Sequence, residues 1–278
     1  MSSYRFCRTD DIGLLVDALN RCWAPYYPDE PLVTPAAFKR SIRDLQVWCS
    51  SCMVAFSGPD PIGVLIGAKR PSGTLIYKIA VHPDDVRQGH GRHMLTSLSS
   101  KLSILGPPRI VAEVPESLGP ACELCRTSGY VEEARLVDYI LEHEANDVPE
   151  IPGRFVIPVT VEDLAANALL GVDHPQTCWS RSVETLTARK DEITGFAVAT
   201  DEQIEAYILY RNGGEILALG SFVADEGARL QQLLSRIGTG TFRLPKVHPA
   251  EVSHAILDAV GFRTVGRHLR YATTATSE

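Results

Sequence analysis

The apolar positions of this chain change period every few residues, and each change marks an element. Residues 4–8 alternate as a first strand, and Ile12, Leu15, Val16 and Leu19 then recur at helical spacing behind Thr9 or Asp10, either of which can cap a helix. Three prolines break the pattern across Trp23-Ala24-Pro25-Tyr26-Tyr27-Pro28-Asp29-Glu30-Pro31, a stretch that also carries three aromatic rings and two acids. A short amphipathic helix over 38–45 follows, then strands over 48–56 and 62–68 joined by the turn Gly58-Pro59-Asp60-Pro61. Residues 75–81 form an apolar, β-branched run that ends at His82-Pro83 and reads as a buried strand. Leu95, Leu98, Leu102 and Leu105 then give a helix from about 91 to 105, stopped by Gly106-Pro107-Pro108.

Between that strand and that helix lies Val86-Arg87-Gln88-Gly89-His90-Gly91-Arg92. The first N–H groups of a helix have no intrahelical partners, and residues without Cβ let a ligand come close to bare backbone, so this order of strand, glycine loop and helix builds a site for phosphate oxygens. Downstream, 109–114 is a strand, 120–127 a helix ended by Gly129, and 131–142 the closing strands. Residues 144–153, Glu-Ala-Asn-Asp-Val-Pro-Glu-Ile-Pro-Gly, carry neither period and mark a boundary. The pattern then starts again: a strand over 155–159, a helix over 161–170, and strands over 195–199, 204–211 and 215–222. At the end, Ala255-Ile256-Leu257-Asp258-Ala259-Val260-Gly261-Phe262 repeats the helix, glycine and aromatic order of 121–130 before a last strand over 269–272.

Composition adds limits. A chain of 278 residues, 45% hydrophobic and 22% charged, has the length and balance of two globular domains. The net charge of −7 argues against a nucleic-acid partner, and no apolar run approaches the ~20 residues that span a membrane. No secretory leader is evident at Met1-Ser2-Ser3-Tyr4-Arg5, so a cytoplasmic location is expected, as a monomer or a homodimer. Seven cysteines at irregular spacing suit reduced thiols. Cys49 with Cys52 and Cys122 with Cys125 have the two-residue gap of zinc sites, but no Gly or Pro makes a knuckle of either pair, and no metal is expected.

The strand at 75–81, the His82-Pro83 break, the basic glycine loop and the helix resemble the pyrophosphate-binding motif of the GCN5-related N-acetyltransferases. Glu113-Val114, the helix Ala121-Cys122-Glu123-Leu124-Cys125 and Ser128-Gly129-Tyr130 resemble the same family's second motif, so the likeness covers roughly residues 4–142. It implies an α/β (α+β) fold of two tandem domains, each with a mixed, mostly antiparallel central sheet flanked by helices. The expected division is an acetyltransferase domain over 1–143, a linker over 144–153 and a degenerate copy over 154–278. In that copy the loop Val223-Ala224-Asp225-Glu226-Gly227-Ala228-Arg229 has one glycine, and two carboxylates stand where a pyrophosphate would sit, so it is not expected to hold coenzyme.

The resemblance implies acetyl-CoA as cosubstrate and an amine as acceptor. Backbone at Ile79, Ala80 and Val81 would pair with the pantetheine, an N–H near Ile79 would meet the acetyl carbonyl, and Arg87, Gln88, Gly89, His90, Gly91 and Arg92 would hold the pyrophosphate. The loop position that is Gln or Arg in the family is Val86 here, and the Asn that opens the later helix is Leu118. The family's acidic strand residue falls at Tyr77, and the Tyr that protonates the leaving thiolate falls at Cys125. Glu113, His82 or a water relayed between them remains as a base, beside the plainer readings of a strand-end acid and a capping or solvent-facing histidine; Cys125 as a small apolar helix residue is the plainer reading there too. Trp23, Tyr26 and Tyr27 offer cation–π surface beside Asp29 and Glu30, which predicts a small, cationic amine as acceptor, with Trp179 as a further contact from the second half. The other reading is an acyl-CoA-binding module that senses without turnover.

Overall fold

The first apolar pattern folds nearly as read, with the strand two residues earlier than 4–8 and the helix starting behind Asp11, which makes no side-chain cap, rather than behind Thr9 or Asp10. β1 (Ser2–Phe6) is followed by α1 (Ile12–Cys22), which hides Leu15, Val16, Ala18, Leu19 and Cys22 on one face, the stripe the spacing predicts. A one-turn 3₁₀ helix over Ala24–Tyr26 comes next. α2 (Pro35–Leu45) starts three residues earlier than its apolar stripe suggests, because Pro35 sits at its first position and the Thr34 side chain caps it, accepting from the Ala37 N–H at 3.1 Å. β2 (Met53–Ser57) follows a 3₁₀ turn at Cys49–Ser51 rather than continuing a strand from 48. Then come β3 (Asp60–Arg70), β4 (Gly73–Val81), α3 (His90–Leu105), β5 (Ile110–Pro115), α4 (Gly119–Thr127) and β6 (Tyr130–His143).

The second half contains β7 (Phe155–Pro158), α5 (Val161–Ala166), α6 (Val183–Ala188), β8 (Thr194–Ala199), β9 (Ile204–Arg211), β10 (Glu215–Ser221), α7 (Ala228–Ile237), β11 (Gly240–Val247), α8 (His254–Val260) and β12 (Arg263–Thr273). α5 is shorter than the 161–170 that its apolar residues suggested: a Thr160–Asp163 capping box starts it, and Ala168 turns to φ 56° just after its end. The computed structural model describes residues 2–144, 154–170 and 177–273, so the expected linker lies almost wholly outside the described residues.

Two compact units result, and their division differs from the expected one. Unit 1 takes its residues from Met1–Glu133 and Leu269–Glu278, and unit 2 from Ala134–His268. The chain therefore leaves unit 1 inside β6 and returns to it inside β12. Packing explains this: Tyr139 and Leu141 of β6 share a core with Phe242 and Leu244 of β11, which β6 pairs antiparallel, whereas Leu269 and Tyr271 of β12 are buried with Leu98, Ile110 and Tyr130. An alternating run declares a strand but not its neighbour.

In unit 1 the strand order is β1-β2-β3-β4-β5-β12, antiparallel from β1 to β4 and parallel between β4 and β5. In unit 2 the order β6-β11-β10-β9-β8-β7 is likewise antiparallel except for the parallel pair β10/β11. Each unit is thus a mixed, mostly antiparallel sheet with helices packed on it. No helix among the described residues is long and apolar enough to cross a membrane.

Candidate functional site

The parallel pair in unit 1 is short. β4 and β5 are in register only at Thr74–Ile110, Leu75–Val111 and Ile76–Ala112. The next residue, Tyr77, is a bulge, since Ile76 faces Gly67 and Lys78 faces Ile66 across β3. Beyond it the His82 N–H donates to the Ile62 carbonyl at 2.9 Å, so by the alternation of antiparallel ladders Lys78 and Ala80 also turn their polar backbone groups to β3. Ile79 and Val81 turn theirs to the β5 side, where no strand pairs with them among the described residues. One of these groups is taken, because the Tyr26 hydroxyl donates to the Val81 carbonyl at 2.7 Å. The rest form an edge on which an extended ligand chain can add as a strand.

That edge leads to the glycine loop. Arg87 adopts φ 61° and Gly89 φ 88°, and α3 begins at His90 without a side-chain cap at its N-cap residue, leaving its first N–H groups and the positive end of its dipole for an anion. The two glycines act differently. A Cβ on Gly89 would meet open space, whereas one on Gly91 would stand 3.1 Å from the Leu124 side chain. Gly89 with the exposed Arg87, Gln88 and Arg92 faces outward, while Gly91 lets α4 pack against α3. His90, read as a loop ligand, is 5% exposed; its Nδ1 lies 2.6 Å from the Tyr4 hydroxyl, and its Nε2 is buried without a protein partner. His93 stacks on the Tyr4 ring at 3.8 Å.

The aromatic stretch after α1, expected as an acceptor wall, lies against β4. Trp23 and Tyr27 stack at 4.6 Å, and the Trp23 Nε1–H donates to Glu30 at 3.4 Å. Their cation–π seat is already filled, however. Lys78 Nζ lies 3.8 Å from the centre of the Trp23 ring and 5.7 Å from that of Tyr77. Burial pushes the Lys78 ammonium pKa down, and Glu30 partly opposes this. Sequence reading passed over Lys78, although a lone charge inside the apolar run 75–81 was a signal. Asp29 is exposed.

The residues expected to move protons lie in different settings. Cys125 is 5% exposed inside the core with Met94, Leu98 and Tyr130, and burial pushes its thiol up to about 12. The cluster it belongs to also has Ile79, Val81 and Val114 packed against it. Glu113 is half-buried on β5, one residue past the last β4/β5 pair. His82 is engaged locally: its Nδ1 accepts from the Asp84 N–H at 3.4 Å and lies 3.9 Å from Asp85. All seven cysteines are buried and free, and the described residues contain no cluster of three or more metal-ligating side chains.

Unit 2 repeats this architecture with its openings filled. β10 and β11 pair at Glu215–Arg243, and Leu217 is the bulge, as Tyr77 is in β4. Past the pair, the buried Arg181 donates from Nε to the Leu217 carbonyl at 2.9 Å and from one terminal nitrogen to the Pro245 carbonyl at 3.0 Å. Its other nitrogen pairs with Glu251 at 2.5 Å. At the head of α7, Gly227 has φ 86°, close to the 88° of Gly89, but the Asp225 carboxylate accepts from the Gly227 N–H at 3.1 Å and the Arg229 N–H at 2.8 Å. A Cβ on Gly227 would meet the Val260 side chain at 2.4 Å. Trp179, expected as an acceptor contact, is buried, and much of the proline-flanked stretch before it lies outside the described residues.

This bulged strand with a diverging parallel neighbour and a glycine-headed helix is the fold of the GCN5-related N-acetyltransferases, present twice. Solved structures agree over the whole length. A tandem protein of that family from the clavulanic acid biosynthesis pathway is 17% identical, with 100% of each chain covered and a TM-score of 0.62. A family member from Sphaerobacter thermophilus is 14% identical over 98% of this chain and 95% of its own, with a TM-score of 0.69, and one from Anabaena variabilis is 10% identical over 98% and 72%, at 0.65. No protein-family model and no curated protein matches the sequence.

Proposed function

We propose that unit 1 transfers the acetyl group of acetyl-CoA to the amine of a small molecule. The observation that carries this reading is the open edge of β4 beyond Ile76, leading directly to an α3 terminus whose N–H groups no side chain caps. These groups fit the coenzyme: Ile79 and Val81 for the pantetheine amides, and the backbone of Arg87 to Arg92 with its cationic side chains for the pyrophosphate. The buried, unpartnered Nε2 of His90 is a further donor or acceptor at the start of the same helix. Bound there, the coenzyme supplies an activated thioester. The chain's part is to hold the acetyl carbonyl against the Ile79 N–H and to place the amine beside it, with Glu113 as the proposed base. No proton need come from Cys125, because the departing thiolate can take one from the ammonium product or from water.

The test is an amine panel with full-length protein and acetyl-CoA, read by release of coenzyme thiol, together with calorimetry of CoA binding. One CoA bound per chain and thiol release with a small amine are expected. Binding without release for every amine would leave the acyl-CoA-sensing reading instead, and the absence of both would remove the site assignment.

A further inference from the structure

The acceptor wall of unit 1 differs from what its aromatic composition suggested. The π face offered by Trp23 is occupied by the protein's own cation, with Nζ of Lys78 3.8 Å from the ring centre, so a cationic acceptor would meet a filled seat and a like charge. Lys78 has three N–H donors, yet among the described residues its contacts are the Trp23 and Tyr77 rings and the field of Glu30, whose carboxylate already accepts from Trp23 Nε1. A half-buried ammonium held on ring faces, without a protein oxygen among the described residues to donate to, has N–H donors free for an anionic oxygen. Its place in the chain matters as much. Lys78 follows the bulge at Tyr77 and precedes Ile79, so its α-carbon is ~3.8 Å from that of the residue whose backbone borders the β4/β5 opening.

We propose that the acceptor of unit 1 carries a carboxylate as well as its amine, and that Lys78 Nζ binds that carboxylate and so sets the specificity of the transfer. The class is a short amino acid, with amine and carboxylate a few bonds apart. This inference rests on the acetyl-transfer reading of unit 1.

The experiment pairs amines with and without the carboxylate, glycine with glycinamide and β-alanine with β-alaninamide, with 1,4-diaminobutane as the cationic extreme, and every rate is expressed per concentration of unprotonated amine, because a neighbouring carboxylate also raises the amine pKa. With full-length protein and acetyl-CoA, the acid of each pair is expected to have a kcat/KM about tenfold above its amide, the ratio that one charge-assisted hydrogen bond gives. Lys78→Gln should erase the preference with the KM for acetyl-CoA unmoved, and Lys78→Arg should restore it. Faster turnover of the amides or the diamine, or a preference that survives Lys78→Gln, would overturn the proposal. A second readout needs no turnover. Labelling of Lys78 by an amine-directed reagent, followed by peptide mass spectrometry, should be slowed by succinate and not by 1,4-diaminobutane. If no amine releases thiol but succinate protects, acetyl transfer falls and the carboxylate site stands. If succinate gives no protection, the carboxylate site falls whatever the thiol assay shows.

Discussion

Units 1 and 2 present the same backbone device with opposite contents. Each has a bulge just past a short parallel pair and a left-handed glycine at the head of the next helix, Tyr77 and Gly89 in one, Leu217 and Gly227 in the other. In unit 2 the strand opening is bridged by a guanidinium and the helix head is capped by a carboxylate, so the polar groups that a coenzyme would meet already have partners. In unit 1 the corresponding edge carries one internal ligand among the described residues, the Tyr26 hydroxyl on Val81. A polar opening in a fold must be satisfied by something, and internal side chains are the permanent solution. The comparison teaches that one backbone geometry can be left open or satisfied from within by side chains.

The largest effect should come from unplugging unit 2. Arg181→Met leaves the Glu251 carboxylate, 11% exposed, without its cation, and should cost about 3–5 kcal/mol of unit 2 stability in chemical denaturation, while the double variant with Glu251→Leu should recover most of it. Neither should gain CoA binding, since Asp225 still occupies the helix head. Placing a carboxylate in unit 1 at the position that Asp225 holds before its glycine is the reciprocal change. Arg87→Asp, at a residue already in the left-handed region that Asp tolerates, should weaken CoA binding about 100-fold by calorimetry, near the sum of two charge-assisted contacts. Unchanged affinity would show that this loop does not hold the coenzyme.

Alkali should separate the units further. Burial raises the thiols of Cys7 and Cys125 to about 12 and that of Cys22 to about 11, from an ordinary 9.0, and all three lie in unit 1. The folded state then holds these protons more tightly than the unfolded chain. Their contribution is complete below pH 9 and is lost as pH rises towards the folded values, by about 1 kcal/mol per thiol one unit above the unfolded pKa. Denaturation followed by fluorescence at pH 8 and pH 10 should show the fall in unit 1, and equal loss in both units would contradict it. The smallest effect is expected of Cys125→Ala. Turnover should drop by less than about tenfold, short of the 10²–10⁴ of a lost general acid, when kcat is measured at saturating acetyl-CoA. A loss of a hundredfold or more with CoA binding intact would make Cys125 the acid.

What the sequence by itself determined is local. The strand over 75–81, the glycine loop and the α3 stripe of Leu95, Leu98 and Leu102 needed only period and turn chemistry, and the single glycine with its two acids set the second loop apart from the first. Tertiary structure decided what depends on residues far apart in the chain. The run 131–142 looked like one closing element of the first domain, but its end belongs to the core of unit 2, because a strand's alternation says which face is buried and not which strand lies beside it. Arg181 meets partners 36, 64 and 70 residues away, and no pattern around it announces that. That Cys125 is buried in a core with Met94 and Tyr130 could not be read from its helix alone, and the aromatic seat at Trp23 was legible, while the cation that fills it comes from a strand 55 residues further on.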